Sequence, residues 1–135
     1  MGPWEGPLPE GDHWDPQLLA EGDYRNVEDQ YRYWKRESIA KDIQSASLGY
    51  EVAIENLGHD FNIGSIVRTA NALGASRVHI VGRRRWNRRG AMVTDRYMDV
   101  EHHAEVEEFA KEVADRGLRV VGIDNLPGST PFEET

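Results

Sequence analysis

The sequence predicts an α/β fold in which helices flank a Rossmann-like parallel sheet. Two short apolar runs, at residues 52–54 and 78–81, are bounded by glycine or polar residues, as buried strands are. Between them, apolar residues recur at the i, i+3, i+4, i+7 spacing of one helical face, and these are Ile63, Ile66, Val67, Ala70 and Leu73. Residues 50–82 therefore form a βαβ unit, which joins two parallel strands by a crossover helix.

Polar and flexible residues mark the ends of this helix. Asn62 is placed to cap its first turn and Gly74 to end it. The loop 59–62 lies at the carboxyl edge of the sheet, where ligands of open α/β sheets bind. His59 and Asp60 invite a metal or acid–base interpretation, but no third ligand stands at a recognisable spacing, and such a pair often only shapes a turn.

A second amphipathic helix is predicted from His103 to Arg116, and a third buried strand after it. The inward residues of the helix are Val106, Phe109, Ala110 and Val113, and those of the strand are Leu118, Val120, Val121 and Ile123. The strand ends in Asp124 and Asn125, at the same sheet edge as Asn62.

The remaining histidines favour structural roles. His79 alternates with apolar neighbours and is interpreted as a core or edge residue with a satisfied hydrogen bond. His102 and His103 are interpreted as the end of a short strand just before the next helix. No metal site is expected.

The chain divides into three parts by composition. Residues 1–22 are predicted to form an irregular arm, because residues 1–16 hold four of the six prolines. Trp4 and Trp14 in this arm either pack on the domain or stack on RNA. Residues 23–46 are assigned to an N-terminal helix over 26–45, which lacks Pro and Gly and begins with a capping residue and acids. Residues 47–135 form the α/β domain.

Length and composition indicate one modest soluble domain. The chain has 135 residues, 39% of them hydrophobic and 30% charged, and no run approaches the roughly 20 apolar residues of a membrane span. Without a basic segment followed by an apolar core at the N-terminus, a cytoplasmic location is expected. The absence of cysteine excludes disulfides and thiolate metal sites.

A compact cationic run stands out against an acidic chain. The formal net charge is −8, yet residues 83–89 contain five of the 16 basic residues, namely Arg83, Arg84, Arg85, Arg88 and Arg89. The arginine guanidinium donates paired hydrogen bonds to phosphate, and the ring of Trp86 within the run can stack on a base. RNA contact is therefore predicted for these six residues. The alternatives are a solvated turn or a salt-bridge cluster between subunits.

The residues of the first unit resemble a known family. Asn62, Gly64, Arg68 and Thr69 spell N-x-G-x-x-x-R-T, preceded by Glu55 and followed by A-L-G-A and V-H-I-V-G. This pattern resembles the first motif of the SpoU (TrmH-like) branch of the SPOUT superfamily, over about residues 52–124. Those enzymes are S-adenosylmethionine-dependent RNA methyltransferases that typically modify the ribose 2′-hydroxyl of tRNA or rRNA.

The resemblance implies a set of site residues. Arg68 is then the catalytic residue, while Asn62 and Glu55 hold the loop and Arg68 in place. A guanidinium with a pKa above about 12 is a poor base, so electrostatic stabilisation of the developing alkoxide is the preferred role for Arg68. Asp124 and Asn125 are expected to approach the cofactor, S-adenosylmethionine. The resemblance also implies a homodimer and a domain of the α/β-knot type.

The sequence departs from the family at its C-terminal end. Only ten residues, LPGSTPFEET, follow Asn125, which leaves no room for the two later motifs that tie the knot and bind the methyl donor. Residues 47–135 are thus expected to be an incomplete SPOUT domain, inactive by itself. Two other classes remain. A non-catalytic RNA-binding module would use only the 83–89 run, whereas a nucleotide-binding domain is disfavoured because the first turn lacks G-x-G-x-x-G and carries Asp60.

Overall fold

The computed structural model describes residues 1–58, 62–92 and 94–135. Its α-helices are α1 (Pro16–Glu21), α2 (Arg36–Ser45), α3 (Ile63–Ala72) and α4 (Val106–Asp115), and its strands are β1 (Glu51–Asn56), β2 (Arg77–Gly82) and β3 (Val100–His103). Short 3₁₀ turns cover Asp29–Tyr31, Arg88–Ala91, Thr94–Arg96 and Phe132–Glu134. None of the helices in these ranges has the length and apolar character of a membrane span. His59 and Asp60 lie outside the described residues.

The three strands form one parallel sheet in the order β1-β2-β3, so the predicted α/β fold is confirmed. Ile54 on β1 lies opposite Ile80 on β2, which lies opposite His102 on β3. Side chains alternate across the sheet, so Ile80 faces α3 while its neighbour His79 contacts Phe109 of α4. Helices therefore cover both faces, as a parallel sheet requires.

The core lies between α3 and the first face of the sheet. Its buried members are Ile63, Val67, Ala70, Ala75, Val78, Ile80, Ala91 and Met98. The helix ends at a Schellman motif: Gly74, at φ +80°, donates its amide to the Asn71 carbonyl at 3.1 Å, and Ala75 donates to Ala70 at 2.9 Å. Asn62 stands at the N-cap position, where its carbonyl accepts from the Ile66 amide at 2.9 Å, but its side chain makes no capping hydrogen bond.

The third strand of the sheet is not the one predicted. It is β3, ending at His103, whereas residues 118–123 form no strand and leave Val120 and Ile123 largely exposed. After β3, α4 returns the chain across the second face to the amino end of β1, where Arg116 pairs with Glu51. The segment then follows β1 without pairing with it. Since its side chains are covered on one side at most, burial offsets too little of the backbone entropy that a strand must lose.

The helix before this segment also differs from its prediction in extent and in its inward face. It begins at Val106 instead of His103, because residues 100–103 belong to β3. Val113 is buried and Phe109 half-buried, as predicted, but Val106 and Ala110 are exposed. The inward face of α4 is instead completed by Glu112, whose carboxylate meets Arg77 on β2 at 3.1 Å.

The N-terminal helix is shorter than predicted, since α2 begins at Arg36 and not at Asn26. The fully buried Asp23 explains the difference. Its carboxylate accepts from the Tyr33 amide at 2.8 Å and from the Arg25 amide, Nε and Nη2 at 2.7–3.0 Å. Tyr33 is thereby held at φ +65°, outside helical geometry. A side chain that captures backbone amides in this way competes with helix formation.

The arm at residues 1–22 is ordered against this turn. The Met1 ammonium donates to the Asp23 carbonyl at 2.8 Å, and the Trp4 amide donates to Leu19 in α1 at 2.8 Å. The ring of Trp4 meets that of Tyr33 edge-on at 5.5 Å, and Trp14 forms a β-bridge with Trp34. The two arm tryptophans thus contact aromatic residues of the neighbouring N-terminal segment, with Trp4 still exposed, and stacking on RNA stays a prediction.

We predict that Asp23→Asn lowers the free energy of unfolding by about 3 kcal/mol at pH 7, because it leaves the buried end of Arg25 without its counter-charge. The hydrogen bonds from Arg25 hold the pKa of Asp23 far below its usual range, against the opposing effect of burial. The stabilisation is therefore complete above pH ~4, the ordinary pKa of Asp, and is lost as the pH falls further.

Urea denaturation at several pH values measures this effect. The difference between wild type and variant should narrow progressively below pH ~4. Asp29→Asn is the matched control, since the Asp29 side chain is 90% exposed. Equal stability of wild type and Asp23→Asn at pH 7 would contradict the role assigned to Asp23.

Candidate functional site

Asn56, the last residue of β1, fixes the beginning of the loop at residues 83–92, which we call the arginine-rich loop. It is buried on the same face as Val52 and Ile54. Its side-chain amide donates to the carbonyls of Arg83 at 2.7 Å and Arg85 at 3.0 Å, and its carbonyl oxygen accepts from the Gly58 amide at 3.1 Å. Sequence reasoning missed this residue. The available signal was a polar side chain at the end of an apolar strand, on the buried side of its alternation.

Gly64, in the first turn of α3, allows the same loop to return onto the helix. A Cβ atom at this position would stand 2.8 Å from the backbone of Gly90 and Ala91, closer than real contacts allow. The glycine of the N-x-G-x-x-x-R-T pattern therefore permits backbone-to-backbone packing between α3 and the 3₁₀ turn. From there the loop continues along α3, and the Asn26 side chain donates to the Met92 carbonyl at 3.3 Å.

The arginines of the loop fall into two groups. Arg83, Arg84, Arg85 and Arg89 are exposed, and no ion pair involves them within residues 1–58, 62–92 and 94–135. Arg88 is engaged, since its guanidinium pairs with Asp95 at 2.9 Å and lies 4.7 Å from the centroid of the Trp86 ring. The Trp86 ring itself packs against the core cluster. A base would have to displace Arg88 to stack on it.

Arg68 lines a cavity of about 530 Å³ between α3, the N-terminal segment and the end of the loop. Its lining includes Tyr31, Ile39 and Ile43 on one side and Asn71, Met92, Thr94 and Tyr97 on the other. Arg68 is exposed and makes no ion pair in the described part of the chain. The side-chain oxygen Oδ1 of Asn71 is buried, and no described residue donates a hydrogen bond to it. The cavity thus offers a free cation and an unsatisfied acceptor.

Tyr31 in the cavity wall is not a general base. Burial, reinforced by the hydrogen bond that its hydroxyl donates to Asp42 at 2.7 Å, raises the pKa of Tyr31 to about 12. The phenol is therefore neutral at pH 7, and its proton is already committed to the Asp42 carboxylate. The group in this cavity that can stabilise a negative charge is the guanidinium of Arg68.

Glu55 and Asn62 do not surround Arg68. Glu55 alternates with Ile54 on β1, so it lies on the α4 face, whereas Arg68 is on α3 across the sheet. Asn62 precedes Arg68 by six residues, which places the two about 9 Å apart along the helix and about 120° apart around it. The predicted role of Glu55 in holding Arg68 does not fit this geometry, because the period-two alternation of the strand turns its side chain away.

Asp124 and Asn125 lie beyond a second cavity, on the other side of the sheet. This groove, of about 690 Å³, runs between β1, α4 and the segment 118–123, and Phe109, Val113 and Ile123 contribute to its apolar lining. Asp124 and Asn125 follow the last of these and are exposed, with the Asn125 amide donating to the Asp124 carboxylate at 2.7 Å. No residue lines both the groove and the Arg68 cavity.

Comparison with known families identifies the class of this arrangement. A model of the SpoU rRNA methylase family matches residues 49–135, more than half of the chain. The chain belongs to the SpoU rRNA methylase family. Its members are RNA methyltransferases, and the family resemblance inferred from sequence is thereby confirmed. Searches of curated proteins and of solved structures found no match.

The range matched by the SpoU model covers only part of the Arg68 cavity. It includes α3, the arginine-rich loop and the groove beside β1. It excludes residues 1–48, which contribute Asn26, Tyr31 and Ile39 to the cavity wall. In this SpoU methylase, the N-terminal segment therefore shapes the surroundings of the motif arginine without belonging to the matched domain.

We predict that Arg84→Ala combined with Arg85→Ala weakens RNA binding by this SpoU methylase. The two exposed guanidiniums have no acidic partner among the described residues and can neutralise phosphates, so the slope of log affinity against log salt should flatten by about 0.7–0.9 per lost contact. Arg88→Ala should have a smaller effect, because Arg88 already pairs with Asp95.

Filter binding or fluorescence anisotropy over a series of salt concentrations gives both affinity and slope. Arg36→Ala combined with Lys41→Ala removes the same charge from exposed positions of α2 and is the control. An unchanged slope in the Arg84/Arg85 variant, or an equal loss in the control, would show that the loop is not a specific phosphate-binding surface.

Proposed function

We propose that the protein transfers a methyl group from S-adenosylmethionine to a ribose 2′-hydroxyl of tRNA or rRNA, with Arg68 as the catalytic residue. The observation that carries this proposal is the exposed Arg68 guanidinium, which lacks an acidic partner among the described residues and lines a cavity continuous with the arginine-rich loop. Family membership supports methyl transfer to RNA. The ribose oxygen, the donor and the RNA class belong to the proposal.

Arg68 acts through its charge and its hydrogen-bond donors. A guanidinium stays protonated at all physiological pH values, so it does not remove the proton of the ribose hydroxyl. It stabilises the negative charge that develops on the attacking oxygen, and its planar fork positions the adjacent phosphate. A free cation is needed for both tasks, which is why the absence of an ion pair at Arg68 matters.

The arginine-rich loop supplies the RNA-binding surface. Its exposed guanidiniums lie at the carboxyl edge of the sheet, and the same loop ends in the wall of the Arg68 cavity at Met92, Thr94 and Tyr97. The formal net charge of −8 repels RNA from the rest of the molecule. A local cation patch on an acidic body therefore directs the backbone of the RNA to the one surface beside Arg68.

The groove beside β1 fits the size and polarity of an adenosyl ligand. Its volume of about 690 Å³ lies within the range of small-molecule sites, and its walls are largely apolar. Asp124 follows directly after the lining residue Ile123 and can accept hydrogen bonds from ligand hydroxyl or ammonium groups. S-adenosylmethionine bound there supplies an electrophilic methyl group. Ile123 and Phe109 would contact its apolar parts and keep water from them.

Two copies of the chain could bring the Arg68 cavity of one copy next to the groove of the other. The Arg68 cavity and the groove share no lining residue, and they lie against helices on opposite faces of the sheet. One chain therefore does not bring Arg68 to the groove. A symmetric homodimer, in which Arg68 of one subunit approaches the groove of the other, would join the two, and we include it in the proposed function.

We predict that Arg68→Lys in the full-length protein reduces methylation by a factor on the order of 10² or more. Lysine keeps the charge but loses the planar fork, as when one preorganised donor is removed from a transition state. The RNA affinity should change far less than the turnover, since the loop provides most of the phosphate contacts.

Transfer of a radiolabelled methyl group to RNA measures turnover, and Arg36→Lys is the matched control on an exposed helix. Alkali-resistant dinucleotides in the labelled product identify a ribose 2′-O-methyl group. Near-normal turnover of Arg68→Lys would remove Arg68 from the catalytic role. Methylation of RNA by the wild type would exclude a non-catalytic RNA-binding module, which would bind RNA without turnover.

A further inference from the structure

We propose that His79, Glu101, His103 and Glu112 bind a divalent transition-metal cation of the Zn²⁺ class between the second face of the sheet and α4. The cluster adjoins the groove beside β1, since His79, Glu51 and Phe109 also line that groove. It was not expected from the sequence, because its members are distant along the chain and follow no ligand spacing. The proposal rests on where the fold places these four residues, on the distances between their ligand atoms, on the residues that hydrogen-bond to them, and on the charge around them.

The fold places the four ligands on two neighbouring strands and one helix. His79 on β2 is the register partner of Glu101 on β3, and His103 lies two residues further along β3 on the same face. Glu112 reaches the group from α4. Both imidazoles are buried, with 3% of His79 and 5% of His103 exposed. The two carboxylates are partly exposed, with 38% of the Glu101 side chain and 24% of the Glu112 side chain accessible, and both pair with Arg77.

The ligand atoms are already close to a coordination sphere. His79 Nδ1 lies 2.9 Å from His103 Nε2 and 4.0 Å from Glu101 Oε2, and His103 Nε2 lies 3.6 Å from Glu112 Oε2. All four atoms lie within 4.8 Å of one another. In tetrahedral zinc sites with bonds of about 2.0–2.2 Å, ligand atoms stand about 3.3–3.6 Å apart. Adjustments of about 1 Å would complete the sphere.

Neighbouring charged residues hydrogen-bond to the proposed ligands and orient them, as in known metal sites. Glu51 Oε2 lies 2.6 Å from His79 Nε2, so the Nε2 atom carries a proton and the Nδ1 lone pair points into the cluster. Arg116 pairs with Glu51 and fixes the position of that carboxylate behind His79. Arg77 donates to Glu112 Oε1 at 3.1 Å and leaves Oε2 facing His103. A carboxylate behind a ligating histidine is typical of zinc proteins.

The charge of the cluster matches a divalent cation. Four carboxylates, on Glu51, Asp99, Glu101 and Glu112, face two guanidiniums, on Arg77 and Arg116, so the carboxylates exceed the guanidiniums by two. One divalent cation would balance this excess. It would replace the 2.9 Å hydrogen bond between His79 Nδ1 and His103 Nε2 by two metal–nitrogen bonds.

The surroundings favour a structural zinc-like site over one for Mg²⁺ or Ca²⁺. Imidazole is a ligand for Zn²⁺ and its neighbours, whereas Mg²⁺ and Ca²⁺ take oxygen ligands. The ring of Phe109 packs edge-on against both imidazoles, with centroids 5.3 Å and 5.6 Å away, and shields them from solvent. A bound cation would tie α4 to β2 and β3, and so fasten the second face of the sheet.

Zinc titration of the chelator-treated protein tests the proposal. We expect one equivalent of Zn²⁺ to bind, and the melting temperature to rise by on the order of 10 °C at a hundredfold excess over the dissociation constant, with no rise in Mg²⁺. His103→Gln and Glu112→Gln should each weaken zinc binding at least tenfold. His102→Gln is the matched control, because His102 is the neighbouring histidine on β3 and its Nε2 donates to the Gly82 carbonyl instead.

A second measurement keeps the proposal testable if a variant does not fold. Co²⁺ bound to the wild-type protein should give the intense visible absorption of a four-coordinate site, and Zn²⁺ should displace it. Absence of both that absorption and a zinc-dependent melting shift in the wild type would overturn the proposal. Zinc binding that survives in folded His103→Gln, or that is lost equally in His102→Gln, would overturn it as well.

Discussion

The close packing of the first turn of α3 against the loop after β2 sets the geometry of the candidate site. Gly64 and Gly90 meet backbone to backbone, and a single methyl group at Gly64 would push them apart. Asn56 fixes the other end of the same loop through the carbonyls of Arg83 and Arg85. Between these two anchors, the loop exposes Arg83, Arg84, Arg85 and Arg89 at the carboxyl edge of the sheet. This edge lies beside α3, the helix that carries Arg68.

The two faces of the sheet are built on different physical principles. The face under α3 is an apolar core around Val67, Val78 and Ile80, stabilised by removal of hydrocarbon from water. The face under α4 is a network of histidines, carboxylates and guanidiniums around His79. Buried charged networks contribute little unless every member has a partner. The face under α4, with its excess of carboxylates, is therefore the face suited to bind a cation.

The sequence predicted the elements whose signals are local. The βαβ unit was accessible because periodicity, strand composition and the Gly74 stop all act within a few residues. The arginine run was visible as charge density, and Arg68 through its motif. The predictions that were wrong, for the start of the N-terminal helix and for the strand at residues 118–123, depended on contacts between residues distant in sequence. Asp23 interrupts the predicted helix by capturing the Tyr33 amide ten residues away, and the apolar segment 118–123 does not join the sheet.

The same reasoning explains the site residues that were missed. Asn56 matters because of two carbonyls 27 and 29 residues away, and the metal cluster unites residues from β2, β3 and α4. No spacing rule in one sequence signals such contacts. Within one chain, the alternation of β1 places Glu55 on the face of the sheet opposite to Arg68, so its role in holding Arg68 stays a prediction.

We propose that RNA binds where the arginine-rich loop meets α3. Hydrogen exchange measured by mass spectrometry, with and without a saturating single-stranded RNA oligonucleotide, tests this most directly. We expect slower exchange in residues 83–92, in α3 and in the turn Thr94–Arg96, with α1 unchanged. Protection confined to α4 or to residues 1–22, or none at saturation, would contradict it.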